Sequence, residues 1–303
     1  LCARQHNRDM NDSIPALPCW LNGELATVRE ARVSVLDRGF LFGDGIYEVV
    51  PVYGGRPFRF AEHMARLERS LAEVRIPSPM DRAGWRDVID RLVAAYAASV
   101  GQPVAALNQQ VYLQVTRGVA VRDHAMPAGI ERTVFAMTNR MTQPTERDRA
   151  EGVACVTADD FRWKKAHIKS VSLLGSVLAR QISADVGANE TVMFRDGWLS
   201  EGAAANVWVV KGGAVAGPPR DNLVLEGIRY GLMEQLCAEA GIPFALRPIP
   251  REEVFAADEL LLSNASKEVL PVTRLDGQPV GNGRPGPIYQ SLYAGYQRAK
   301  QSA

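Results

Sequence analysis

Apolar residues recur along this chain with two periods. Over 61–75, Met64, Leu67, Leu71 and Val74 fall at helical spacing, and over 83–99 Trp85, Val88, Ile89, Leu92, Val93 and Tyr96 repeat the pattern. Spacings of three and four residues place such side chains on one helix face. Residues 19–60 read instead as short strands, with turns at Asn22-Gly23 and Gly54-Gly55. VYLQVT (111–116) alternates as a strand does, and TVFAMT (133–138) is another. Further along, strands are expected at 153–157, 190–194, 206–210, 259–263 and 268–273. Helices are expected over about 171–186, ended by Gly187, and about 228–240, stopped by Gly241 with Pro243 beyond.

The polar segment NRMTQPTERDRAE (139–151) interrupts this order and contains Pro144. It reads as an interdomain linker, placed at 141–150, between a small N-terminal domain (19–140) and a large C-terminal domain (151–303). Residues 1–18 read as a disordered extension. The order of elements gives an α+β fold in two lobes, without the regular βαβ alternation of a dinucleotide-binding fold.

Composition narrows the function classes. A chain of 303 residues can build two cores, and 47% hydrophobic with 23% charged residues is ordinary for a globular protein. Lys plus Arg number 35 and Asp plus Glu 34. That balance gives no electrostatic case for nucleic acid or a membrane surface as partner. The four cysteines are far apart and form no CxxC pair, so no zinc site or redox dithiol is expected; buried thiols in the cytoplasm are. His63 and His167 lack metal-ligand spacing, and no metal is expected.

Three segments carry candidate chemistry. Lys169 in AHIKSVSLLG precedes an amphipathic helix; it is a candidate amine nucleophile, or simply a solvated lysine. Glu201 in LSEGAAANVWVV is followed by small residues that admit a ligand close to the backbone, or by a plain tight turn. Gly227 and Ile228 in LVLEGIRYGLMEQL stand where a helix begins, and the free N–H groups there suit a phosphate. Many helix starts bind nothing.

Taken in order with DRGFLFGDGIYEVVPVYGG, EHMARL, QVTRGVAVRDHAMP and KEVLPVTRLDG, these segments resemble the class IV aminotransferases, the fold-type-IV pyridoxal phosphate (PLP) enzymes. Within that family the sequence is most similar to the D-amino acid aminotransferases, from about Trp20 to Tyr296. The resemblance implies roles. Lys169 falls on the Schiff-base lysine that also moves the substrate Cα proton. Glu201 falls on the carboxylate that pairs with the pyridine nitrogen, and Arg66 on the arginine that binds the phosphate. Arg66 is expected on the helix face away from Met64, Leu67 and Leu71. Gly227 and Ile228 fall on the phosphate cup and Leu225 on the residue packed against the ring. Asn264 and Ala265 are further cup positions. Arg229 stands where a hydroxyl residue is common and Ala265 where a threonine is; backbone N–H groups suffice there, or Arg229 and Ser266 take part. Glu190 either reaches the cofactor's phenolic oxygen or the lysine, or is a structural carboxylate.

Arg122 and His124, two residues apart, point to one side of an extended loop. With Tyr47 they match the family's trap for a D-amino acid carboxylate. The resemblance implies that Arg122 and His124 reach in from the partner subunit of a homodimer. A solvated loop and a core tyrosine are the plain alternatives. The activity implied is transamination of D-amino acids such as D-alanine with 2-oxoglutarate, giving a 2-oxo acid and D-glutamate. Branched-chain L-amino acid aminotransferase and aminodeoxychorismate lyase are the alternatives on the same fold.

Overall fold

The computed structural model describes residues 15–301. The disorder expected at 1–18 therefore lies mostly outside the described residues, and Pro18 already opens the first strand. The chain divides into two compact units. One runs through Met141 and takes in Lys169–Ser172; the other holds Thr142–Ile168 and the chain from Leu173 onward.

The first unit is a six-stranded antiparallel sheet. Its strands are β1 (Pro18–Leu21), β2 (Glu24–Thr27), β3 (Gly45–Tyr53), β4 (Arg56–Pro57), β5 (Asn108–Thr116) and β6 (Thr133–Arg140), in the order β2-β1-β6-β5-β3-β4. β3 and β5 pair without a break from Gly45 opposite Thr116 to Tyr53 opposite Asn108. The helices are α1 (Arg38–Phe42), α2 (Phe60–Glu73) and α3 (Arg82–Ser99). α2 buries Met64, Leu67 and Leu71 and packs on β3. α3 starts where the Asp81 carboxylate accepts from the Gly84 N–H at 2.8 Å, and it buries all six residues of its expected apolar face.

The second unit is a mixed sheet of nine strands: β7 (Val153–Asp159), β8 (Glu190–Arg195), β9 (Trp198–Gly202), β10 (Asn206–Lys211), β11 (Ala214–Gly217), β12 (Phe244–Leu246), β13 (Glu259–Asn264), β14 (Glu268–Leu275) and β15 (Gln278–Pro279). The order is β12-β11-β10-β13-β14-β7-β8-β9, with β15 on β14. Val192, Phe194, Val207, Val209, Leu260 and Leu262 share one core cluster, as alternation along a strand requires. Trp208, on the other face of β10, packs against Tyr230 and Phe244. Both faces are therefore covered, which is why these strands read as continuous apolar runs.

Around this sheet lie α4 (Glu146–Glu151), α5 (Leu174–Asp185), α6 (Arg229–Glu239), α7 (Arg251–Phe255) and α8 (Pro287–Gln301). α8 has a charged cap supplied from β13: Glu259 accepts from the Ile288 and Tyr289 N–H groups, each at 2.9 Å. Gly286 allows this, because a Cβ there would stand 2.2 Å from the Glu259 carboxyl carbon. The segment read as a linker contains α4, opened by a Thr145–Asp148 capping box. Arg149 of α4 pairs with Glu268 at 3.0 Å, so the segment belongs to the second unit.

The first unit also differs from a single cut near residue 150. Ile46 and Ser170 form an antiparallel bridge, the Tyr47 N–H donates to the Lys169 carbonyl at 3.0 Å, and the Val171 N–H donates to that of Gly45. These backbone bonds attach Lys169–Ser172 to β3. Among the described residues no helix is long and apolar enough to cross a membrane.

Candidate active site

In the first unit Lys169 is held by its backbone. Besides the bonds to β3, its N–H donates to Ser70 Oγ at 3.4 Å. The side chain places Nζ 4.1 Å from the centroid of the Tyr47 ring, which stacks on Tyr112 at 5.6 Å. The ring face attracts the amine and limits its reach to one side. Ser70 lies one turn beyond Arg66 on α2, so Lys169 and Arg66 meet the same stretch of helix.

Arg66 lies off the apolar stripe of α2, yet it is only 6% exposed. The reason is a partner: Glu48 of β3, itself fully buried, accepts from Arg66 Nε at 2.6 Å and Nη2 at 2.7 Å. His63 Nδ1 joins the same carboxylate at 2.8 Å. Burial pushes the Glu48 carboxyl up, but Arg66 and His63 outweigh it and hold it well below the usual carboxylate range. The fork is thus fixed in orientation before any anion arrives.

Arg122 and His124 occupy the loop between β5 and β6, and both are exposed. They gather at one ring: the Arg122 guanidinium carbon is 5.3 Å from the Phe42 centroid and the His124 ring 5.4 Å. Arg38 anchors the loop by donating to the Asp123 carbonyl at 2.6 Å while pairing with Asp44 at 2.7 Å. Tyr47 stands with Lys169, as described.

In the second unit Glu201 lies one residue before the end of β9 and is 4% exposed. Its Oε1 accepts from Arg162 Nη1 at 2.7 Å and from the Leu225 N–H at 3.2 Å. Its Oε2 accepts from Asn206 Nδ2 at 3.3 Å. Burial raises the Glu201 carboxyl above its ordinary value, and Arg162 works against that rise.

Next to it lies the start of α6. Asn206 Nδ2 also donates to the Leu225 carbonyl at 3.0 Å, tying β10 to the approach of α6. A Cβ on Gly227 would stand 2.0 Å from Asn206 Oδ1, so only glycine fits. Ile228 caps α6 without a side-chain hydrogen bond, and the first turn has no acidic residue. The Arg229 side chain is buried, donates to the Ala265 carbonyl at 3.3 Å and lies 5.4 Å from the Tyr296 ring. Asn264 turns the chain after β13: its Oδ1 accepts from the Ser266 and Lys267 N–H groups at 3.0 and 2.7 Å, and its Nδ2 donates to the Ala204 carbonyl at 2.8 Å. Glu190, fully buried on β8, pairs with Lys267 at 2.7 Å.

Glu201, Leu225, Gly227, Ile228, Arg229, Asn264 and Ala265 are therefore linked within one unit, and Lys169, Arg66 and Tyr47 within the other. Sequence reasoning missed Glu48, Asn206 and Arg162. Only Asn206 left a trace, as the polar residue closing the run of alanines.

The amino-transferase class IV family model matches residues 45–275. The chain belongs to that family. It is 37% identical to the D-alanine aminotransferase of Bacillus licheniformis over 282 residues, covering 92% of this chain and 95% of the relative. It is 34% identical to the D-alanine aminotransferase of Staphylococcus haemolyticus over 284 residues, covering 93% and 98%. The fold is that of the fold-type-IV aminotransferases. The branched-chain amino acid aminotransferase of T.th., complexed with N-(5'-phosphopyridoxyl)-L-glutamate, superposes with a TM-score of 0.84 at 21% identity, over 96% of each chain.

Proposed function

We propose that this enzyme is a PLP-dependent D-amino acid aminotransferase that converts D-alanine or a similar D-amino acid and 2-oxoglutarate to a 2-oxo acid and D-glutamate. The residues fit the cofactor. A helix start with no side-chain cap, beside a glycine that a Cβ would fill, suits the phosphate; Glu201 offers a buried carboxylate to a ring nitrogen. When bound, PLP supplies an aldehyde that takes the amino group and a ring that spreads the electron pair left on Cα.

This chain's residues do the rest. In the second unit the N–H groups at Ile228 and Arg229 would hold the phosphate, and the resemblance assigns Arg66, oriented by Glu48, to that group as well. Leu225 would pack on the ring, Glu201 would keep its nitrogen protonated, and the turn at Asn264 and Ala265 would close the cup. Lys169 would hold the cofactor through its amine, and the same amine would take and return the substrate Cα proton. Arg122, His124 and Tyr47 fix the substrate carboxylate so that Cα–H faces Lys169.

The observation that carries the choice of D-amino acids is the pair Arg122 and His124, gathered at Phe42 on a loop anchored by Arg38. The substrate named for the 37% identical relative agrees with it. We assign a homodimer that shares its sites, supported by the large exposed apolar side chains beside that pair: Val121 is 84% exposed, and Phe40 and Met126 are also open. We place the enzyme in the cytoplasm, a reading supported by Cys19, Cys155 and Cys237, which are buried free thiols.

Incubation with PLP, D-alanine and 2-oxoglutarate, followed by chiral separation of the products, tests the reaction; D-glutamate and pyruvate are expected in equal amounts. Turnover of L-leucine but not D-alanine would assign a branched-chain enzyme. Borohydride reduction and peptide mapping should label Lys169, and a label at Lys164 or Lys165 would overturn that assignment.

A further inference from the structure

The chain leaving β7 places two charged residues, Asp160 and Arg162, beside Glu201. The Asp160 carboxylate has no exposed surface and accepts from Arg162 Nε and Nη2, both at 2.9 Å, and from the Arg162 N–H at 3.1 Å. Arg195 Nη2 approaches Asp160 Oδ1 at 3.2 Å, the oxygen that Arg162 Nε also reaches. Arg162 therefore spends one edge of its guanidinium on Asp160 and sends Nη1 to Glu201. Two carboxylates and two guanidiniums form a buried, charge-balanced row: Glu201, Arg162, Asp160, Arg195.

This row treats the two oxygens of Glu201 differently. Oε1 takes a charge-assisted bond of 2.7 Å from Arg162 and the Leu225 N–H. Oε2 takes one longer bond, 3.3 Å, from an Asn206 amide shared with the Leu225 carbonyl. An ionised carboxylate oxygen can accept more than one donor. Oε2 is accordingly the oxygen with capacity for a cationic ring N–H. The other ionisable groups that act on this site are Asp160, whose charge opposes ionisation of Glu201, and Tyr230, whose phenol feels the Glu201 charge. Arg162 is the cation in direct contact.

We propose that Arg162, braced by Asp160, is the positioning residue that holds Glu201 in its anionic form with Oε2 presented to the ring nitrogen of the cofactor. The inference rests on the PLP reading above. Burial raises the Glu201 carboxyl above its ordinary value and Arg162 opposes that rise; a protonated carboxyl cannot hold a pyridinium. Arg162 reaches Glu201 and Asp160, and the effect assigned to it runs through Glu201.

The test uses holoenzyme loaded with PLP that carries 15N in the ring, with the nitrogen shift followed between about pH 6 and 9. The wild type should show a protonated nitrogen throughout. Arg162→Gln removes the cation. Asp160→Asn/Arg162→Gln also removes the carboxylate that the cation neutralises, so the row keeps its net charge, while Arg195 loses its contact with Asp160. Both should move the nitrogen toward the neutral-pyridine position and slow the half-reaction with D-alanine about tenfold or more, with far less change in PLP affinity. Arg162→Lys should recover most of the wild-type signal. A wild-type signal in both Gln variants would overturn the inference. So would equal loss of PLP from all three variants, Lys included, since that marks a structural clamp. A wild type that takes up no PLP, or holds it with a neutral nitrogen, would instead sink the functional reading itself.

Discussion

At Gly227 a single missing Cβ leaves room for the Asn206 side chain. An alanine there would meet Asn206 Oδ1 at 2.0 Å. Asn206 cannot give way freely, because its Nδ2 serves both Glu201 and the Leu225 carbonyl. Gly227→Ala should therefore weaken PLP retention by about tenfold or more, the loss of a charge-assisted bond or two, while unfolding temperature changes little. Equilibrium dialysis measures the first and calorimetry the second; undiminished retention would show that the cup tolerates the methyl group. The residue scale is also where sequence legibility was most uneven. Lys169, Glu201 and Gly227 stood out because their residue types in that order suit amine, ring nitrogen and phosphate. Arg162 did not, because a buried arginine and a solvated one are the same letter, and FRWKK offers three cations in a row of five. Arg229 was legible only as a departure. Its direction, toward the Ala265 carbonyl and the Tyr296 ring, depends on chain segments brought together by the fold.

The contact between β3 and α2 shows what an element adds. The apolar stripe of α2 was readable from spacing, and Met64, Leu67 and Leu71 are buried as expected. The burial of Arg66 off that stripe was not, since it depends on Glu48, eighteen residues earlier. Replacing Glu48 with alanine leaves Arg66 and His63 around an empty buried space, and should destabilise the first unit by about 3–5 kcal/mol, as for other broken buried pairs. The pH dependence has a definite sign. The Glu48 carboxyl is held below its ordinary value in the folded state, so the stability it contributes is complete above the unfolded carboxylate value of about 4.3 and falls as pH drops below it. Thermal melts of wild type should lose stability steeply from there downward, and Glu48→Gln should flatten that slope. A parallel slope in the variant would mean that other carboxylates dominate. Glu268 works in the same direction in the second unit, where Lys300 and Arg149 hold its carboxyl down against burial. Glu268→Gln should loosen α8 first, seen as faster amide exchange over Pro287–Gln301 than over β13.

For the whole molecule, the polar segment at 139–151 carries the expectation of two lobes, and nothing in the sequence attaches Lys169–Ser172 to the first of the two units. Bridges such as Ile46 with Ser170 join residues more than a hundred positions apart, and no local pattern announces them. The sharing of sites between subunits is the last consequence to test. If Arg122 and His124 serve the partner's Lys169, a Lys169→Ala chain and an Arg122→Ala/His124→Ala chain are each defective alone for different reasons. Co-expressed, half of randomly assembled dimers pair one of each, and one of their two sites then has the lysine from one chain and the intact trap from the other. The mixture should recover roughly a quarter of wild-type kcat/KM for D-alanine, the statistical share of restored sites in a twofold dimer. Were the trap to act within its own chain, every site in the mixture would lack either lysine or trap, and activity would not exceed the sum of the two variants. Sedimentation gives the companion measurement: a species of about twice 33.1 kDa that shifts toward monomer when Val121 or Phe40, exposed in the single chain, is replaced by aspartate, because a desolvated charge opposes a closing apolar contact. Monomer-sized wild type with full activity would remove the shared site, while Lys169 and Glu201 would keep their roles within one chain.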